Sequence, residues 1–513
     1  MTHSIGSERS SWTLYSWALM GLFIFFQLMQ WPLTPRFLDV YYHLSVMKGF
    51  AEAGGYVTHA YWEYAPGGRP HLYPPLLHIL MLLVYKLGVP AIEVGRLVDM
   101  ISYPMLLIVF WRLARRFHGE RAAFLALVLF ASSYSALLAS VTLSAFNLAA
   151  ILLLLGIERL ESRRRIASAI CLGLSFYAHT LVGWVFVLYV LLRSFPARRF
   201  RDAGAVIFGG LILASPFLAY QISNRSAFAF VDVYENNLLE WDLGLYTLGA
   251  AALWSYRHLK ARHDLAVPLA LWAAMIPLLL THPVRFLYGH GLLGLSWIGA
   301  LYLDTLVEKL SRSSVRRAGS CLVGACLFFT TLAPIVRWNA DTKEGSVVWA
   351  DRALIRYLWP DPYANFRSNG FTIFFPEHYE EIVRIIRENS QKGDILWTDF
   401  SYTAGILAIL SDRVTSCAML AEVRPSQRSN HLTDAQLVIW FKDRDAKPQA
   451  EMLRSAERHG FRLIQETEMA FIYQNPVATV QQKVPAPLMP IWALLLLTAS
   501  AFTAIFWPAR KTL

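Results

Sequence analysis

A succession of apolar stretches, each closed by a short cluster of arginine and lysine, constrains this chain more than any other feature. An apolar run of roughly 17 to 22 residues is long enough to cross the hydrocarbon of a bilayer. Such runs lie near 12–31, 96–114, 121–140, 146–160, 166–179, 181–195, 203–222, 243–256, 264–281, 284–304, 316–336 and 488–507, the shortest with uncertain limits. The basic clusters are Arg115/Arg116/Arg121, Arg163/Arg164/Arg165, Arg193/Arg198/Arg199/Arg201, Arg257/Lys260/Arg262, Lys309/Arg312/Arg316/Arg317 and Arg510/Lys511. With the N-terminus inside, every cluster falls on the cytoplasmic side, as the positive-inside rule requires. Hydrophobic residues make up 56% of the chain and charged residues 16%, which fits a polytopic membrane protein rather than two or three soluble domains. The net charge of +11 is spread over loops, so topology accounts for it and no nucleic-acid partner is expected.

Leu72–Gly88 (LYPPLLHILMLLVYKLG) breaks the pattern. Taken as a crossing, it would invert everything after it and place five arginine clusters outside. It therefore reads as an interfacial or re-entrant helix within a long first external loop, about 32–95, with Pro74 and Pro75 suited to its first turn. The expectation is about twelve crossings with both termini inside. The N-terminal span lacks a small-residue cleavage site and reads as a retained helix. Of the four cysteines, Cys171, Cys321 and Cys326 lie in apolar spans and Cys417 in the hydrophilic part, with no spacing that suggests zinc or a disulfide there.

Composition divides the chain into a bundle over 1–336, a charged, mixed region over 337–487, and a last span with a short tail over 488–513. In the middle region Glu377–Ser390 has the 3.6-residue periodicity of an amphipathic helix, with Ile382, Val383, Ile385 and Ile386 on one side. Strands are expected at Ile395–Asp399, Arg413–Cys417, Leu437–Lys442 and Leu463–Tyr473, and helices at Tyr402–Leu410 and Gln449–His459. Alternating helix and strand predicts a small α/β domain, external by the topology.

Candidate chemistry gathers at the external end of the spans. Arg36-Phe-Leu-Asp39-Val-Tyr-Tyr42-His43 follows the first span and sets a carboxylate, aromatics and a histidine at a membrane surface, where a charge costs far less than in hydrocarbon. Gly54-Gly55 and His71-Leu-Tyr-Pro-Pro-Leu-Leu-His78 follow. The D-x-Y-Y-H box and the YPPL element resemble the first external loop of GT-C membrane glycosyltransferases, and are most similar to the catalytic subunit of oligosaccharyltransferase. Trp397-Thr-Asp399-Phe-Ser, after Gly393-Asp394, resembles that subunit's WWDYG region. The resemblance implies a polytopic α-helical GT-C fold with an external α/β domain. It also implies transfer of a sugar or glycan from a polyprenyl-phosphate or pyrophosphate carrier to a glycan, lipid or protein acceptor. The site would face outward from a bacterial or archaeal plasma membrane, among its lipids.

The same resemblance assigns roles. Asp39 would be the catalytic base or ligand that orients the acceptor, with Tyr42 and His43 beside the substrate. Arg285, in Thr281-His-Pro-Val-Arg-Phe286, would clamp the donor phosphate, since an arginine at such a depth needs an anionic partner. The acid-rich loop Ser223–Gly244 offers Glu235 or Glu240 as a functional loop glutamate, and His179 is a further substrate-binding candidate. Trp397 and Asp399 would contact the acceptor, or alternatively pack a strand end and cap a turn. The family's divalent metal, Mn2+ or Mg2+, would bind Asp39 together with a pair of acids in the second external loop. Here that place reads Ser140-Val-Thr-Leu-Ser-Ala-Phe-Asn147, without an acid. Hard cations want several oxygen ligands, so weak or absent metal dependence is expected. WWDYG has also lost its second Trp, Tyr and Gly, which removes the case for asparagine as acceptor. The alternatives are a transporter or flippase of lipid-linked substrates, which calls for mid-membrane charges, and a non-catalytic glycan-binding relative.

Overall fold

The computed structural model describes residues 4–29, 31, 38–133, 144–227, 238–281, 283–289, 291–310, 335–339, 342–348, 376–399, 401–418, 432–442 and 449–506. The chain opens with α1 (Ser4–Met29) and α2 (Leu38–Ala53). The short strands β1 (Gly55–Tyr56), β2 (His59–Ala60) and β3 (Arg69–Pro70) lead to α3 (Leu76–Lys86). The bundle continues with α4 (Ala91–Ser132), α5 (Ser144–Glu161), α6 (Arg165–Ala178), α7 (Thr180–Ala197) and α8 (Phe200–Ser223). After β4 (Leu238–Asp242) come α9 (Leu243–Trp254), α10 (Tyr256–Lys260), α11 (Ala266–Met275), α12 (Leu278–Thr281), α13 (Pro283–Tyr288) and α14 (Gly291–Leu310).

Ser11–Met29, Ala91–Ala131, Thr180–Ala197 and Phe200–Ser223 are long and apolar enough to cross a membrane, and several shorter apolar helices accompany them. Within α4, Gly119 takes φ 82°, ψ −179°, which only glycine adopts at low cost, and splits the helix between the two expected spans 96–114 and 121–140. The eleventh of the expected spans, 316–336, lies almost wholly outside the described residues, so the number of crossings stays an expectation. α3 starts directly after Pro75 and has 11 residues, about 16 Å of helix, well short of a bilayer core. Leu76, Leu77, Ile79, Met81 and Leu82 are buried against the rest of the first loop and the bundle end. An apolar helix too short to cross is stable here because α2 and α4 cover it.

The region after the bundle begins with β5 (Ile335–Asn339) and β6 (Glu344–Val348), which pair antiparallel with β4 in the order β4-β5-β6. Nothing in the sequence signals this sheet: the acid-rich loop reads as having no strand, and the preceding span reads as running to 336. Pairing across about a hundred residues of sequence leaves no local signature. The α/β unit follows the sequence closely. It comprises α15 (Glu380–Asn389), β7 (Ile395–Thr398), α16 (Ser401–Ser411), β8 (Val414–Thr415), β9 (Leu437–Phe441), α17 (Gln449–Arg458), β10 (Arg462–Glu466) and β11 (Ala470–Gln474). The sheet order is β10-β11-β9-β7-β8, with β7 parallel to both neighbours. The single strand expected over 463–473 is a hairpin, closed where Thr467 exchanges hydrogen bonds with Ala470. The last strand, β12 (Met489–Pro490), pairs with β1 and leads into α18 (Ile491–Phe506). The final helix thus starts beside the first loop.

Candidate active site

α2 organises the site. Asp39 lies in its first turn, where a carboxylate is favoured by the helix dipole, and is half-buried. Val40 and Leu44, on the adjoining face, pack at the close approach to Gly95 of α4, where a Cβ would meet both side chains. That contact fixes the first turn of α2 against the start of α4. One turn along α4 stands Asp99, 4% exposed. Burial pushes the Tyr41 hydroxyl well above its ordinary range; Glu377, Tyr379 and Asp99 add to this and Arg96 opposes them. The first turn of α2 is therefore surrounded by acids from α4 and from the start of the α/β unit. Arg96 pairs with Glu93 and reaches Glu377 at 4.0 Å.

Tyr42 and His43 point inward, 1% and 3% exposed. The His43 Nδ1 and His78 Nε2 atoms are 2.9 Å apart, one of them donating. Burial pushes His43 down to about 3 and holds His71 and His78 well below the usual imidazole range, so all three are neutral. Tyr73, Phe50 and Trp62 close over them with ring centroids 5.3 to 5.7 Å away. Arg69, 1% exposed, donates from Nε to Glu63 at 2.8 Å and from a terminal nitrogen to the Tyr42 hydroxyl at 3.3 Å. This nest supports α2 from below. It places Tyr42 and His43 behind Asp39 rather than at the surface a substrate would meet.

Other elements converge on the same end of the bundle. His179 is the single extended residue between α6 and α7, half-buried, with its ring 6.4 Å from Phe146 at the start of α5. Asn147 donates to Ser102 at 3.1 Å, so the end of the second loop sits beside the turn of α4 that follows Asp99. Gln221 donates to the Leu72 carbonyl at 3.0 Å and Tyr220 to that of Thr58, which ties the end of α8 to the first loop. β4 packs on α13, the short helix that carries Arg285, and Asp242 accepts a hydrogen bond from Ser133 at the end of α4. Glu240 is placed in β4 opposite Arg337. The side chains of Glu240 and Arg285 and all of Glu235 lie outside the described residues.

Trp397 and Asp399 occupy the C-terminal end of β7. Trp397 meets Trp440 edge to face at 5.5 Å, and Asp399 accepts the Phe441 N–H at 3.1 Å. Those contacts fit strand-end packing and capping, one of the two readings the sequence left open. The unit is held to the first loop by Lys48–Asp412 and by Lys392–Glu52 at 3.3 Å. Thr415 also exchanges backbone hydrogen bonds with Trp62 and Ala65, at 3.1 and 2.9 Å. A cavity of about 320 Å3 lies between these ties, lined by Lys48, Glu52, Lys392, Asp412 and Gln482 among others. Asp99 and Glu377 were missed in the sequence. An acid near the start of an apolar span was a signal for the first; nothing local marked the second.

Among the described residues no group of three or more His, Cys, Asp or Glu is arranged to hold a metal ion. No family model matches the sequence, and no curated protein matches it. Solved structures do match. The Archaeoglobus fulgidus oligosaccharyltransferase in its apo form is 12% identical over 91% of this chain and 75% of its own, with a TM-score of 0.55. ArnT from Cupriavidus metallidurans bound to undecaprenyl phosphate is 15% identical over 90% of this chain and 99% of its own, at 0.52. The mycobacterial arabinofuranosyltransferase AftD is 17% identical over 92% of this chain but 40% of its own, at 0.56. At such identities the likeness is one of fold, and it runs through both the bundle and the α/β unit. The chain shares the fold of these transferases.

Proposed function

We propose that this protein is an integral membrane glycosyltransferase that moves a sugar or glycan from a polyprenyl-phosphate or pyrophosphate carrier to an acceptor on the external face. The observation that carries this reading is the placement of Asp39. It opens α2 at the end of the bundle where the first loop, the end of the second loop, α13 and the α/β unit meet, in a chain with the GT-C fold. Oligosaccharyltransferase has been solved with a dolichol-phosphate and an inhibitory peptide, and ArnT with undecaprenyl phosphate, so lipid phosphates are ligands of this fold.

In this reading Asp39 accepts the proton of the acceptor nucleophile as that atom bonds to the sugar's anomeric carbon. The bond from that carbon to the carrier phosphate oxygen breaks, and the phosphate leaves with the electron pair. Arg285 and the loop glutamate, Glu235 or Glu240, complete the mouth, with Arg285 stabilising the charge that develops on the phosphate. Asp99 adds a second carboxylate where the second loop has none. Two carboxylates are fewer oxygen ligands than Mn2+ or Mg2+ prefers, so metal dependence is expected to be weak. Turnover of a polyprenyl-phosphate sugar by purified protein, in wild type and Asp39→Asn, tests the proposal. Loss of two to four orders of magnitude is expected of a missing general base. Near-wild-type turnover by a correctly inserted Asp39→Asn protein would refute the assignment.

A further inference from the structure

Two arginines are buried among the described residues, Arg69 at 1% exposed and Arg159 at 8%. The first is fully paired. The second is not: its Nε has no hydrogen-bond partner and its side chain makes no ion pair with any described residue. Arg159 sits near the end of α5, far from the active site. Along α4, Arg112 lies 17 residues beyond Gly95, about 25 Å from the contact with α2. Arg112 and Arg116 of α4 both reach Glu158, at 3.1 and 3.5 Å. Glu158 acts on Arg159 only from beyond ion-pairing distance, while Arg164 and Arg112 repel it. Arg112 and Arg116 thus occupy the glutamate whose charge acts most strongly on Arg159. Other basic side chains at helix ends do form ion pairs, as in Arg121–Asp304 and Arg165–Asp202 and in Glu161, which serves both Arg193 and Arg199.

A buried arginine without a counter-charge costs several kcal/mol, and a fork of N–H donors is shaped for a phosphate. We propose that Arg159, with Arg112 and Arg116, binds the phosphate of an anionic lipid headgroup at this end of the bundle. The surroundings favour a lipid as the source. Trp17, 48% exposed, packs edge to face on Trp111 at 5.4 Å, and Arg115 lies over the Trp111 ring at 5.2 Å. Ile166, beside the arginine turn, is 78% exposed. Exposed tryptophan and aliphatic surface next to arginines is the pattern of a membrane interface. The inference rests on the membrane placement and not on the proposed reaction.

The test is lipid retention and thermal unfolding of the full-length protein. It would be exchanged into phosphatidylcholine nanodiscs with and without 20 mol% phosphatidylglycerol, about the anionic share of a test membrane. Wild type should retain phosphatidylglycerol over phosphatidylcholine and melt higher in its presence. Arg159→Gln should weaken that preference about tenfold, the worth of one charge-assisted hydrogen bond. Glu158→Gln, which removes the competing carboxylate, should strengthen it and keeps the test open if Arg159→Gln folds poorly. In detergent with inorganic phosphate alone, stabilisation equal to that by phosphatidylglycerol would support the anion site and assign it to soluble phosphate. No preference in wild type, or an undiminished one in Arg159→Gln together with no gain in Glu158→Gln, would overturn the proposal.

Discussion

The two ends of the bundle treat a buried arginine in opposite ways. At the first loop, Arg69 is enclosed with Glu63, the Tyr42 hydroxyl and a backbone carbonyl, so every direction of its charge is answered from within the chain. At the end of α5, Arg159 makes no ion pair with a described residue: the acid that acts on it most, Glu158, is already held by Arg112 and Arg116. The first arrangement is architecture: it braces α2, whose first turn carries Asp39. The second is incomplete as protein alone and points to a partner from outside. Burial by itself does not separate structure from function; what separates them is whether the chain supplies the counter-charge.

The sharpest way to break this contrast is at the mouth. Beyond Asp39→Asn, the proposed function expects Asp99→Asn to lower turnover about tenfold while leaving the melting temperature nearly unchanged, because in that reading a carboxylate one turn from the contact of α4 with α2 acts through a charged hydrogen bond. An equal loss of stability and activity would make Asp99 a structural residue. Next in size is Arg69→Met. It strands Glu63 in a site that is 5% exposed and should cost about 3–5 kcal/mol in a reversible unfolding measurement. The double variant Arg69→Met/Glu63→Leu should recover much of that loss. Full stability in the single variant would mean that the first loop is not held by this pair.

The histidines give a pH signature. His43 has a folded value of about 3, below its unfolded value near 6.5. The unfolded chain then binds the extra proton between those values, so the stabilising effect of keeping His43 neutral is complete above about pH 6.5 and is lost as the pH falls toward 3. The slope is about 1.4 kcal/mol per pH unit for one such group, and His71 and His78 act in the same direction. Melting curves between pH 7 and pH 5 should show it, and His43→Gln should flatten it. A profile independent of pH would contradict the buried nest. The smallest effect belongs to the tie between loop and α/β unit. Asp412 has φ 65° and a side chain 44% exposed, so Asp412→Gly trades a weak, screened ion pair for relief of left-handed backbone. The net change in stability should stay within about 1 kcal/mol.

Much of this was legible in the sequence because it is local. Charge bookkeeping across the whole chain was enough to make Leu72–Gly88 a helix that does not cross, and Pro74-Pro75 suited its first turn. Ile382, Val383, Ile385 and Ile386 repeat at helical spacing and are buried in the helix they predict. Asp394 and the apolar strands around it mark an α/β unit whichever way it docks. What escaped the sequence depends on contacts between distant segments: the β4-β5-β6 sheet, the inward turn of His43 onto His78, and Asp99 brought beside α2 by a glycine on α4.

Hydrophobic length and the sign of charge in each loop determined, from sequence alone, that this chain is a membrane bundle with one folded-back helix and a polar α/β unit. These are sums over local transfer free energies, which need no knowledge of neighbours. Only the tertiary structure decided that Asp39 is half-buried at the start of α2 while Tyr42 and His43 are enclosed. Only the tertiary structure showed that one buried arginine is answered and the other is not. Electrostatic balance is a property of pairs in space, and a sequence lists the charges without saying which of them meet.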